Sequence, residues 1–336
     1  MGNRQQIQAV PGVLRITLEK GRAEFGPTVR KIRWGEVPIL VCPAPEYAGL
    51  GAAAGYAFAT FVGWPVATHP AELFQTYALP LLRSRSVMIM ISGAEEWPAG
   101  QELARAVQKR DCTLVVLTNH PGSPLAKSAD HVFVARADGD PESPAVAVSI
   151  HAALNFLAFE AARVLKHPEP QWDLLEKEFA QLGEKLDWMF MQFGEAVRSV
   201  AAEVARLSLL RIVGGGFHRF PAWRAARRMR LATDIWVEDI DASELGSEFA
   251  RSTRRDDALL FLSGSHSKLK KLLQRCAAEG RRHGKRVLFL TDSNDREMIE
   301  RSDLGILIPP MLEAPACTLS MFMLEWLAME LGRVRK

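Results

Sequence analysis

The residues best suited to chemistry lie in one short loop, Ser263-Gly264-Ser265-His266-Ser267. Three hydroxyls and a glycine stand between an apolar run and a basic segment that starts at Lys268. Hydroxyls, free backbone N–H groups and the positive end of a helix together favour an oxyanion such as phosphate. The same residues also suit a helix cap, in which Ser265 or Ser267 satisfies backbone donors and binds nothing. A second turn, Gly214-Gly215-Gly216-Phe217-His218, offers Gly214 and Gly216 as places where backbone can approach a ligand. His218 and His266 are titratable near neutrality and could act as acid or base. In the first half of the chain Ser92-Gly93 stands in the equivalent place, but Glu95 and Glu96 follow it and would repel an anion. Those carboxylates suit a neutral or cationic group, or simply the helix dipole. A fourth turn, Cys42-Pro43-Ala44-Pro45-Glu46-Tyr47, presents Glu46. Glu72 and Glu244 are candidate general bases, with a helix-start role as the alternative.

These residues are positioned by a duplication. Val87-Met88-Ile89-Met90-Ile91-Ser92-Gly93 returns as Ala258-Leu259-Leu260-Phe261-Leu262-Ser263-Gly264, 171 residues later. Leu114 to Asn119 returns as Val287 to Asp292, and Ala129-Asp130 as Ser302-Asp303. Glu72 pairs with Glu244, and Glu142 with Glu313. Short runs rich in Val, Ile and Leu at 38–42, 87–91, 113–117 and 132–135 read as strands buried on both faces. The second copy predicts strands near 209–213, 235–238, 258–262, 286–290 and 305–308. Helical segments alternate with them, at 49–62 and 100–110 in the first copy. The pattern predicts an α/β protein of two doubly wound parallel sheets, flavodoxin-like, at 36–169 and 208–336. Ligands of such sheets bind beyond the carboxyl ends of the strands, where all four turns fall.

Between the copies, apolar residues from Leu175 to Leu207 recur at steps of three and four. That stripe predicts a long linker helix over 170–207, with a break near Gly183 or Gly194. Residues 1–35 read as one or two short helices interrupted at Pro11-Gly12. Arg224, Arg227, Arg228 and Arg230 read as a solvated surface or a phosphate patch.

With 336 residues, 48% hydrophobic and 24% charged, the chain is an ordinary globular protein of two domains. A net charge of +3 does not call for nucleic acid. From residue 208 onward there are 22 Lys and Arg against 17 Asp and Glu, which would help attract an anionic ligand. The four cysteines have no metal-ligand spacing and suit a reducing compartment. No leader segment and no run long enough to span a bilayer stand out. The expectation is a cytoplasmic protein with neither a nucleic-acid nor a membrane partner.

The segment Leu117-Thr118-Asn119-His120-Pro121-Gly122-Ser123-Pro124-Leu125-Ala126-Lys127-Ser128-Ala129-Asp130 resembles the "ITNxPGSxLAxxAD" run of sugar isomerase (SIS) domains. Pro45-Glu46-Tyr47-Ala48 resembles the family's first turn, and Val66 to Phe74 its "PVxxxxAxEF" stretch. As a tandem pair the chain is similar to the isomerase half of glucosamine-6-phosphate synthase and to fructosamine-6-phosphate deglycases. The resemblance implies a homodimer that binds a phosphorylated sugar or amino sugar and needs no metal or redox cofactor. It implies aldose–ketose isomerisation or deglycation, with a Glu moving a proton between C1 and C2 and a His opening the ring. The family's catalytic Glu falls near Leu231 and its ring-opening His on Ser247. Its phosphate loop keeps Ser92 but places Ala94, Glu95 and Trp97 where a Ser, a Gly and a Thr belong. Two expectations follow. One is an isomerase using Glu72 or Glu244 with His218 or His266, and phosphate on Ser263, Gly264, Ser265 and Ser267. The other is a non-catalytic sugar-phosphate-binding or regulatory protein.

Overall fold

Ten short apolar segments form two five-stranded, wholly parallel sheets in the computed structural model, which describes residues 4–34, 39–168, 171–245 and 257–334. The first sheet contains β1 (Ile39–Pro43), β2 (Val66–Thr68), β3 (Val87–Ser92), β4 (Thr113–Thr118) and β5 (His131–Val134). Its spatial order is β2-β1-β3-β4-β5. The second contains β6 (Leu209–Gly214), β7 (Trp236–Asp241), β8 (Asp257–Leu262), β9 (Arg286–Asp292) and β10 (Leu304–Ile308). Its order, β7-β6-β8-β9-β10, repeats the first. This is the flavodoxin-like order, with the switch point between β1 and β3 and between β6 and β8. Every residue of β1, β3 and β8 is buried, which explains why these runs are apolar throughout and do not alternate. Nine strands fall within two residues of the sequence expectation at their starts. The tenth, β2, has three half-buried residues, too few to stand out.

Helices flank each sheet: α1 (Arg4–Val29), α2 (Leu50–Phe61), α3 (Ala71–Leu73), α4 (Pro98–Gln108), α5 (Pro124–Lys127), α6 (Pro144–Val164), α7 (Trp172–Gln192), α8 (Gly194–Val204), α9 (Arg219–Ala232), α10 (Lys270–Arg282), α11 (Arg296–Glu300) and α12 (Glu313–Val334). Residues 12–180 form one compact unit, and residues 1–11 with 181–336 the other. The linker stripe is helical as expected and breaks at Phe193–Gly194, not at Gly183. The expected Pro11-Gly12 interruption is overturned: α1 runs through both residues. Ile7, Val10, Leu14, Leu18 and Phe25 are all buried, and that packing outweighs the hydrogen bond that proline removes.

The expectation of no apolar run long enough to span a bilayer also needs correction. α6 is 21 residues long with a mean hydropathy of 1.5, enough by length and composition, and its apolar window is entirely buried inside its unit. Phe156, Phe159 and Phe179 pack ring against ring there, with centroids 5.5–5.7 Å apart.

The arginine cluster on α9 is only in part a solvated face: Arg230 is exposed, Arg227 and Arg228 are half-buried, and Arg224 is not solvated at all. Arg224 is fully buried and donates to Glu325 of α12 at 2.7 Å, with Arg228 3.3 Å from the same carboxylate. Arg230 donates to the Val237 carbonyl at 2.5 Å, and Arg227 lies over the Trp223 ring. A fully buried charge is tolerated because its partner is equally desolvated.

The repeated Asp residues have one role in both copies. Asp130 accepts the Leu114 N–H at 2.7 Å and its own N–H returns to the Leu114 carbonyl at 3.0 Å. Asp303 does the same with Val287, at 2.8 Å in both directions. Each carboxylate locks the start of the fourth strand to the turn before the fifth. Asp130→Ala and Asp303→Ala each leave a strand N–H without its charged acceptor. Each is expected to cost about 1–3 kcal/mol in urea unfolding, by similar amounts in the two copies.

Candidate functional site

At the first switch point the turn after β1 fills the crevice itself. Tyr47 is fully buried and its hydroxyl donates to the Pro141 carbonyl at 3.1 Å. A Cβ on Gly93 would lie 2.3 Å from that hydroxyl, so only glycine fits beneath the ring. The Gly93 N–H, the donor a phosphate would use, instead meets Glu46 at a long 3.4 Å. Ser92 is turned onto its own loop, accepting from the Ala94 N–H at 3.2 Å. Glu95 and Glu96 are exposed, and Trp97 is buried against Gly100.

The second switch point is built differently. Gly214 is required because a Cβ there would sit 2.7 Å from the His218 carbonyl oxygen. Gly216 adopts φ +57, the left-handed region where glycine is unstrained. The space beside it is open, with Glu313 Oε1 3.9 Å from a Cβ added at that position. Gly215 faces Leu269, so the turns after β6 and β8 lie side by side. The structure thus brings the turn 214–218 beside the segment that follows the loop 263–267.

Carboxylates of the chain occupy this loop's donors. Asp292, at the end of β9, accepts the Ser265 N–H at 2.6 Å. Glu313, at the start of α12, accepts from the Ser267 hydroxyl at 2.9 Å and from the Lys268 N–H at 3.4 Å. Ser263 donates to Asp295 at 2.9 Å, and Thr291 and Gln274 hold the same carboxylate. Ser267 in turn accepts the Leu269 N–H at 3.2 Å. A phosphate placed here would face Asp292 and Glu313 at contact range. Like charges at that distance in a partly desolvated site repel strongly. The cradle is thus acceptor-rich and suits ammonium and hydroxyl donors better than an oxyanion.

Two titratable groups flank the turn. Burial pushes the Glu313 carboxyl above the usual carboxylate range, partly offset by its bonds from Ser267 and Lys268. Burial pushes the His218 imidazole down to about 4, so it is neutral at physiological pH. Neither His218 ring nitrogen has a hydrogen-bond partner among the described residues, nor has the buried Ser265 hydroxyl. Three buried polar atoms around the second switch point therefore remain without a partner among the described residues.

The remaining candidates are exposed. Glu72 in α3 is exposed, near enough to Cys42 that its charge joins burial in raising that thiol. Glu244 and His266 are exposed. Leu231, where the family's catalytic Glu falls, is 65% exposed, and Ser247 lies outside the described residues. The four cysteines are buried and form no disulfide, and no cluster of metal-ligating side chains occurs among the described residues. Sequence reasoning missed Tyr47, Asp292, Asp295 and Glu313 as site residues. The repeat carried a signal for one of them: Asn119 in the first copy becomes Asp292 in the second, a gain of charge at a ligand-facing strand end.

The two flanking groups give opposite pH dependences. An unfolded histidine titrates near 6.5, about where protons begin to bind the unfolded chain but not buried His218. Stability is therefore lost as the pH falls from about 6.5 to 4, and His218→Leu is expected to remove that loss. Glu313 holds its proton longer when folded, so its burial costs stability as the pH rises from about 4.3. Glu313→Gln is expected to gain stability relative to the wild type over that rise. Urea midpoints from pH 4 to 7.5 measure both.

The comparisons agree with this architecture. Residues 46–162 match the SIS domain family model. No curated protein matches the chain by sequence. The C-terminal domain of glucosamine-fructose-6-phosphate aminotransferase from Francisella tularensis superposes with a TM-score of 0.84 at 14% identity, over 98% of this chain and 95% of that one. Tagatose-6-phosphate ketose/aldose isomerase from Escherichia coli superposes at 0.76 and 12% identity, over 98% and 92%. Glucosamine-6-phosphate deaminase from Thermotoga maritima superposes at 0.71 and 15% identity, over 98% and 95%. At such identities the likeness is one of fold, and the family match covers residues 46–162. Residues 46–162 thus match the SIS domain, the second lobe repeats the strand order of the first, and the chain has the fold of these neighbours.

Proposed function

We propose that this chain is a carbohydrate-derivative-binding SIS protein that recognises an amino sugar and does not run the isomerase proton shuttle. The observation that carries the reading is the acceptor-rich second switch point. Asp292 and Glu313 hold the loop that would otherwise cradle phosphate. A sugar ammonium can donate to Glu313, its hydroxyls can pair with Ser265 and His218, and a phosphate is left to lie away from the carboxylates. Two of the structural neighbours carry glucosamine in their names, which supports the same ligand class. The exposure of Glu72, Glu244 and His266 supports a binding role over catalysis, because none of the three side chains is held by a hydrogen bond among the described residues. The same reading takes the protein as a cytoplasmic homodimer, on the resemblance and the four buried thiols.

One observation favours isomerisation instead. Glu313, with its raised pKa, and the neutral His218 are two groups whose environments push their titrations apart, as acid–base catalysis requires.

Thermal shift against glucosamine, glucosamine 6-phosphate, glucose 6-phosphate and fructose 6-phosphate tests the reading. A ligand at 100 times its dissociation constant adds about 2.7 kcal/mol. The amino sugars are expected to stabilise the protein, and Glu313→Ala to weaken them at least tenfold. An equal shift with glucose 6-phosphate contradicts the amine assignment, and no shift with any of the four contradicts sugar binding. Proton exchange at C2 in heavy water is expected to be absent. Exchange that disappears in Glu313→Gln would establish the isomerase in its place.

A further inference from the structure

A cavity lies against the turn that carries Asp292, Ser293 and Asp295. It has a volume of about 550 Å³ and is formed by α7, the start of α8, Ser293 and the end of β10. One wall is apolar: Trp188, Phe193, Leu307, Ile308 and the rigid pair Pro309-Pro310. Trp188 is 49% exposed and braced edge-on by Phe193, with centroids 5.3 Å apart and planes at 86°. The rim is polar, with Gln181, Glu184 and Lys185 preceding Trp188 on the same helix and Ser293 on the adjoining turn. The steps from 181 to 184 or 185 and on to 188 place these side chains on one helical face. None of the four polar side chains has a hydrogen-bond or ion-pair partner among the described residues.

We propose that this cavity binds one uncharged carbohydrate ring, stacked on Trp188. The volume falls in the range of small-molecule pockets, which combine apolar walls with a few polar groups. A pyranose has the matching division, an apolar C–H face and an edge of hydroxyls. Its C–H face lies on the indole, and its hydroxyls take the free donors and acceptors of Gln181, Glu184, Lys185 and Ser293. A large side chain left half in water is otherwise a cost, and an amphipathic ring removes it without burying an unpaired polar group. The site goes beyond the amino-sugar reading and does not depend on it, since it shares no residue with the turns at 214–218 and 263–267. It stands beside them through Ser293, next to Asp292.

Saturation-transfer NMR with glucose, galactose and N-acetylglucosamine, on the full chain, tests the proposal. The ring protons of one C–H face are expected to receive the strongest transfer from at least one of these sugars. Trp188→Ala is expected to weaken that sugar at least tenfold, and Trp188→Phe to restore most of it. Glu313→Ala leaves it unchanged, which separates this cavity from the switch-point site. Because Trp188 is half exposed, its variants keep the fold, and an unchanged circular dichroism melt verifies this. Three results overturn the proposal: transfer that persists undiminished in Trp188→Ala, no transfer from any of the three sugars, or transfer only from an aromatic control such as adenine. A dimer that dissociates in Trp188→Ala and binds no sugar would also overturn it, by assigning the face to a second copy.

Discussion

The bond between the Ser265 N–H and the Asp292 carboxylate governs how the functional end of the second lobe is built. An open parallel sheet leaves backbone donors unsatisfied at its switch point, and those donors require acceptors. Many proteins of this architecture leave the acceptor to an anionic ligand. Here Asp292 and Glu313 supply it from within the chain. The first lobe reaches a related end by other means, with Tyr47 filling the crevice and Glu46 facing the Gly93 N–H. In both lobes a backbone donor of the loop meets a carboxylate of the chain before any ligand arrives. What a ligand meets is then a set of acceptors, the two free nitrogens of His218 and the free hydroxyl of Ser265.

That substitution has an energetic consequence. Glu313 is held in a place that resists its charge, so part of the folding free energy is stored at the turn. A donor that pairs with the carboxylate lowers this cost on binding. A second anion raises it. The proposed amine preference and the expected pH dependence of the folded chain therefore have one origin, the desolvation of a single carboxylate beside Gly216. His218 contributes the opposite slope because burial disfavours its charged form.

The fold was legible in the sequence because burial on both faces leaves unbroken apolar runs, and duplication writes each run twice. Val87–Ser92 and Ala258–Ser263 mark the same strand in two copies, and Asp130 and Asp303 mark the same lock. β2 was not legible because three half-buried residues carry no period. Pro11-Gly12 misled because local propensity argues for a break and the buried stripe from Ile7 to Phe25 overrides it. The arginines of α9 misled for a related reason: spacing alone does not reveal that Glu325, about 100 residues away, lies opposite Arg224. At the site, the two turns were readable from glycine and serine composition. Their acceptors were not, because Asp292 and Glu313 come from a strand end and a helix start that only the folded sheet brings to Ser265 and Ser267.

The account's central claim is that the chain's own carboxylates hold the place of an anion in the second lobe. Its most direct measurement is inorganic phosphate binding to the wild type and to the Asp292→Asn/Glu313→Gln double variant, by calorimetry at pH 7.5 and low ionic strength. The account predicts no measurable binding to the wild type and clear binding to the double variant, reduced by Ser265→Pro, which removes the freed N–H. Phosphate binding to the wild type as tight as to the double variant would contradict it.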